Sequence, residues 1–467
     1  MASLKNKTFD QIAASLKLKV LDTEKLADYL KIDILISVYR RNPKNEYEQE
    51  INKKVAKAYE DWTGRKFESF LADSITPTRL VGPPGHGKTT VMRVAAKMVA
   101  DSLGMNFIQD PSTDFVPSYK DFILSTKKYD LNLFNISGFK FLLLENLVNL
   151  SAKDKNTAID TIVNLKNDDS VYVGITDNIY NYKNKDSFFK IINNKLVIYF
   201  TIDRLENFVN RIMNCYADSL ADVAVISFLR REPQSFAAVP ETDKETKIIN
   251  YGFACPRNWE AFINEARKTL HKNGGRGIGE VAAYEEIRDK GLSILGPEVG
   301  EKFAAYFHSM MQGADPLAYN TVTEGKLNKE RIQQLYGKGT SAEQQQFGYQ
   351  FASALVDYAV NYIRESKDQD IVEGTKRFAR GLYALQDGEF AYGLNYFKDR
   401  LAAQVPKYAK PEEGRPRTKV LDSKWKVEIA KIFGDIANEQ NNAPVENNLS
   451  NKIFLCRSSL KLGSLKN

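Results

Sequence analysis

One stretch constrains this chain more than any other: Gly82-Pro83-Pro84-Gly85-His86-Gly87-Lys88-Thr89. Two features of it matter physically. Glycines let consecutive backbone N–H groups converge on an anion, and a helix beginning at the lysine presents its positive N-terminal end to the same point. The neighbours agree with that geometry. Leu80-Val81 reads as a strand before the loop, and Thr90-Val91-Met92-Arg93-Val94-Ala95-Ala96-Lys97 reads as a helix after it. A strand, a glycine-rich loop and a helix in this order predict a cradle for the phosphates of a nucleoside triphosphate, with ATP and Mg²⁺ the expected ligands. In that cradle Lys88 reaches the β and γ phosphates, Thr89 offers its hydroxyl to the metal, and Thr90 continues the first helical turn. His86 fills a variable position and reads as a spacer rather than an acid or base.

The periodicity on either side of the loop sets the fold class. Residues 1–76 show helical apolar spacing, as in Phe9-Asp10-Gln11-Ile12-Ala13-Ala14-Ser15-Leu16, and Ile75-Thr76-Pro77-Thr78 marks the boundary. Short, nearly continuous apolar runs follow at Arg79-Leu80-Val81, Met105-Asn106-Phe107-Ile108, Phe139 to Leu144, Val171 to Ile175 and Leu196 to Phe200. Runs of that kind suit strands covered on both faces, so an α/β fold with a five-stranded parallel sheet is expected over residues 77–204. Beyond Asp203 the pattern is helical to about Val405, interrupted at Pro233, at Pro240 to Glu245 and at Asn273-Gly274-Gly275-Arg276-Gly277. Helical regions over residues 205–275 and 276–405 and a basic, partly disordered tail over residues 406–467 complete the organisation, with one more helix within Trp425 to Ile436.

Composition narrows the class further. The chain has 467 residues with a net charge of +7, and from Leu401 onward 12 Lys and Arg stand against 7 Asp and Glu. The tail is therefore either a solvated end or a surface for nucleic acid or another polyanion. No run approaches the length of a spanning helix, so a cytoplasmic protein without membrane contact is expected, in a host cytoplasm if the source is viral. Cys215, Cys255 and Cys456 lie far apart and form no zinc spacing with the three histidines. They are read as reduced thiols.

The Gly-Pro-Pro-Gly-x-Gly-Lys-Thr-Thr form resembles the AAA+ ATPases. Leu142-Leu143-Leu144-Glu145-Asn146 matches their Walker B position, and the strand ending Val173-Gly174-Ile175-Thr176-Asp177-Asn178 looks like their sensor 1 strand. Ala254-Cys255-Pro256-Arg257-Asn258-Trp259-Glu260 is similar to the sensor 2 motif of MoxR-like ATPases, particularly those common in bacteriophages. The stretches Ile226 to Pro233 and Leu295 to Phe303 also look like theirs, so the resemblance covers about residues 77–320. It implies an AAA+ P-loop domain followed by a helical lid carrying sensor 2, and assembly into a homo-oligomer or a mixed AAA+ ring. It further implies that Glu145 serves the metal, that Thr176 or Asn178 holds a water or phosphate, and that Arg257 reports the γ-phosphate.

Two departures from the family pattern bear on turnover. The Walker B pair aligns as Glu145-Asn146 where Asp-Glu is usual, and an amide cannot take a proton from water. Glu145 either stays with the metal or polarises the water itself. At the arginine-finger position stands Lys195, which keeps the charge and loses the two-pronged guanidinium. Three functions are consistent with these residues: an oligomeric ATPase that remodels a protein complex, a hydrolysis-poor nucleotide-gated scaffold, and a clamp- or helicase-loader-like replication factor acting on DNA through the tail.

Overall fold

The computed structural model describes residues 9–16, 19–74, 78–109, 118, 120–125, 138–145, 171–179, 197–215, 220–238, 252–272, 280–337, 340–365, 368–402 and 431–436. They fall into two compact units: Met1–Arg204 with Cys255–Arg257, and Leu205–Ala254 with Asn258–Asn467.

The first unit is α/β. Its described elements are α1 (Phe9–Leu16), β1 (Val20–Asp22), α2 (Thr23–Val38), α3 (Glu46–Thr63), β2 (Thr78–Gly82), α4 (Lys88–Leu103), β3 (Asn106–Gln109), β4 (Asp121–Ser125), β5 (Phe139–Glu145), β6 (Val171–Asn178) and β7 (Val197–Ile202). The strands form one sheet in the order β1-β7-β2-β6-β5-β4-β3, and every neighbouring pair runs parallel. The sheet therefore has seven strands and not the expected five. The five expected runs all appear, as β2, β3, β5, β6 and β7. Of the two additional strands, β1 is three residues long and passes straight into a helix, so no alternation can develop in it. The other, β4, has only Phe122-Ile123-Leu124 as apolar signal, although all three side chains are buried.

Helix α4 lies on the sheet because its inward face is apolar and small: Val91, Met92, Ala95, Ala96, Val99 and Leu103 are buried in one cluster with Leu80, Phe141, Leu143 and Tyr172 of the strands. Leu26, Leu30, Ile34 and Leu35 of α2 join the same cluster, as do Ile51 and Val55 of α3. Helices α2 and α3 are thus part of the α/β core. At about 1.5–3 kcal/mol for each fully buried Leu, Ile, Met or Val side chain, this layer is a substantial part of the unit's stability.

The second unit is helical among the described residues. It contains α5 (Leu205–Cys215), α6 (Leu220–Arg231), most of α7 (Pro256–Lys272), α8 (Glu280–Leu295), α9 (Pro297–Ser309), α10 (Asp315–Val322), α11 (Lys329–Gly337), α12 (Ser341–Glu365), α13 (Asp368–Tyr383) and α14 (Asp387–Ala402). Between α13 and α14 the N–H groups of Ala384 and Leu385 turn back onto the carbonyls of Gly381 and Leu382. Phe303 packs edge-to-face with Phe228, Trp259 and Phe262, and Phe228 meets Tyr306 in the same way, a preferred geometry for ring pairs. Residues 431–436 are helical, and the rest of the tail lies outside the described residues. No described helix is long and apolar enough to cross a membrane.

Candidate functional site

All five residues of β2 are buried, and the chain leaves the carboxyl end of the strand at Gly82 to turn into α4 at Lys88. Gly85 and Gly87 adopt φ of 75° and 70°, the left-handed region that glycine enters without steric cost. At Gly85 a second constraint operates, because a Cβ there would sit 2.4 Å from the Cys255 sulfur. Gly87 stands at the N-cap of α4, and glycine has no side chain with which to cap the first turn. That leaves the positive end of a 16-residue helix pointing out at the carboxyl edge of the sheet, a donor set suited to an anion.

The polar side chains of the loop take different positions. Lys88 is buried and curls back under its own loop, its Nζ donating to the carbonyls of Pro83 and of Gly82, the latter at 3.1 Å. Thr89 is half-buried, as is Pro84, and Thr90 is exposed; Pro83 is buried. His86 is only 2% exposed, and its Nδ1 accepts the backbone N–H of Asp203 at 3.2 Å. Desolvation first, and then the nearby Lys88 charge, lower the His86 pKa to about 4, so at neutral pH the ring is uncharged. His86 is therefore a fixed structural contact, more than the spacer its position in the motif suggests.

Sheet register brings the other candidates to the same edge. Asn178 of β6 lies opposite Gly82 of β2, Thr176 lies opposite Leu80, and on the far side Thr176 is paired with Glu145 of β5. The strand carrying Thr176 and Asn178 thus runs between the loop strand and the strand ending in Glu145. Thr176 is buried and Asn178 half-buried. Glu145 closes β5, while Asn146 and Lys195 lie outside the described residues.

The segment containing Arg257 also meets the loop. Its backbone N–H donates to the Gly85 carbonyl at 3.1 Å, Pro256 occupies the first helical position of α7, and the Arg257 side chain is exposed. The buried Cys255 side chain is the neighbour that a Cβ at position 85 would meet.

One pair escapes motif reading altogether. Arg79 of β2 and Asp177 of β6 are both at most 1% exposed, and the guanidinium Nε and Nη2 both donate to the same carboxylate oxygen, Nε at 2.5 Å. Charges so deeply buried persist only when paired, and this pair ties the strand that feeds the loop to the strand beside it. A hint was available in the sequence: an arginine inside an otherwise apolar run demands a partner.

No protein-family model matches the chain, and no curated protein matches it by sequence.

Proposed function

We propose that residues 82–90 bind ATP with Mg²⁺ and that the protein is an AAA+ ATPase, similar to the MoxR-like group, working as an oligomer to remodel a protein complex. The observation that carries this reading is the placement of the α4 N-terminus at the carboxyl edge of a parallel sheet, with Thr176 and Asn178 on the adjacent strand β6 and Glu145 on β5, one strand further along the same edge. In this reading the loop N–H groups and Lys88 hold the phosphates, while Thr89 and Glu145 hold the metal, which offsets phosphate charge. Thr176 or Asn178 orients a water or the γ-phosphate. Arg257, whose backbone is anchored on Gly85, has an exposed guanidinium free to swing onto the terminal phosphate.

ATP titration, steady-state hydrolysis and mass measurement with and without nucleotide test the proposal together. A protein that stays monomeric under every nucleotide condition is not the proposed oligomer, and one that binds no ATP is not a nucleotide protein at all. The Glu145-Asn146 sequence supports a second reading, in which nucleotide is bound and scarcely turned over and the protein acts as a nucleotide-gated scaffold. Asn146→Glu then raises turnover without tightening binding, whereas vigorous wild-type hydrolysis rejects the scaffold.

A further inference from the structure

Three polar residues distant in sequence meet behind the loop. The pairing of β1 with β7 sets Asp22 opposite Ile202 and so brings the start of α2 beside the turn that follows β7. There Thr23 donates from Oγ1 to Asp203 Oδ1 at 3.2 Å, and the backbone N–H of Asp203 donates to His86 Nδ1 at 3.2 Å. The chain separations are 180 and 117 residues. All three side chains are buried, and Asp22 caps α2 by accepting the Lys25 N–H at 2.8 Å, which makes the first turn of the helix a firm support.

We propose that this relay makes the amino-terminal helical layer an input to nucleotide affinity, with His86 the positioning residue through which the layer acts on the phosphate loop. The inference rests on the nucleotide-binding reading above. His86 stands between Gly85 and Gly87, both at positive φ and both conformationally permissive, so the ring is the one anchored side chain in the most deformable part of the loop. Because Nδ1 accepts a hydrogen bond, the neutral ring carries its proton on Nε2. The ring is buried on the protein side and does not need to touch a phosphate to matter: it holds the curvature on which the convergence of the loop N–H groups depends. Thr23 contributes by fixing the Asp203 carboxylate, and with it the turn whose N–H holds the ring. A partner that shifts the first turn of α2 therefore changes how well the loop is formed.

The test is a titration with a fluorescent ATP analogue and Mg²⁺, displaced by ATP, on the full chain and on Thr23→Val, Thr23→Ser, His86→Phe, His86→Asn, Thr23→Val/His86→Phe and Lys88→Ala. Thr23→Val weakens binding about threefold to tenfold, the size of one lost hydrogen bond, while Thr23→Ser binds like the wild type. His86→Phe weakens binding at least as much, and His86→Asn, which keeps an acceptor, recovers most of the loss. Adding Thr23→Val to His86→Phe costs nothing further, because the relay is already cut. Wild-type affinity in Thr23→Val, or effects of the two substitutions that multiply, overturns the relay. If His86→Phe does not fold, the contrast of valine with serine at position 23 decides alone. A wild type that binds the analogue no better than Lys88→Ala removes the nucleotide site itself, which is a different failure from a wild type that binds while Thr23→Val is silent.

Discussion

The two compact units bury polar groups to opposite ends. In the helical unit the buried charges and hydroxyls join helix to helix at scattered points: Asp222 of α6 accepts from Arg267 Nε of α7 at 3.0 Å, Ser227 of α6 meets Tyr306 of α9, and Asp357 of α12 faces Arg400 of α14 at 3.4 Å. In the α/β unit Thr78, Asp121 and Lys140 are buried where strands begin, but Thr23, His86, Lys88, Thr176, Asp177 and Asp203 gather along one edge, where the strands end. Burial of a polar side chain is thus not a sign of a working site. Convergence on one edge, next to a helix N-terminus, is what supports the proposed nucleotide site.

That contrast has consequences of decreasing size. Asp357→Ala leaves the Arg400 guanidinium buried without its carboxylate and should cost about 4 kcal/mol of stability, read by denaturant unfolding of the helical unit, with ATP affinity of the surviving folded protein unchanged. A parallel loss of ATP affinity would break the division. Acid attacks the other unit. Because the folded pKa of His86 lies near 4, below its usual 6.5, protonation favours the unfolded chain. The His86 contribution is complete above about pH 6.5, shrinks as pH falls and is gone near pH 4, a total on the order of 3 kcal/mol. The stability profile of His86→Asn, measured beside the wild type, should lack that slope. Under the proposed nucleotide-binding function, Lys88→Ala should leave thermal unfolding nearly intact and weaken ATP binding about 100-fold, the size of lost charge-assisted contacts to phosphate. Smallest is Glu260→Gln, which removes the exposed bridge to Arg211 at 3.3 Å and should move stability by no more than about 0.5 kcal/mol and ATP affinity not at all.

How much of this could be read from the chain depends on how local each cause is. The turn at Gly82 to Lys88, its strand and its helix were legible because glycine conformation, helix start and apolar run are all encoded within about twenty residues. The α/β class followed from the continuous runs of β5 and β6. Strand β1 was illegible because Val20-Leu21-Asp22 becomes a strand only through β7, which comes far later in the chain. His86 was legible as a loop position and not as a contact, since nothing near residue 86 announces Asp203. Arg79 could have been flagged as a buried charge, but its partner Asp177 looked like one more polar residue at the end of a strand. Register, not composition, put Thr176 beside Glu145.

The strand order also dictates a sequence of events during synthesis. Strand β2 has β6 on one side and β7 on the other, and both are made long after it. A nascent chain that has just delivered the glycine-rich turn therefore holds its strand with both edges unpaired, and neither partner exists until Val171 and then Val197 emerge from the ribosome. Such late, non-local closure slows folding and leaves the strand open to wrong pairings in the interval. The segment with the clearest local signal is thus among the last to acquire its neighbours, and truncations that end before Val171 should yield chains in which the turn is present and neither strand that flanks β2 is.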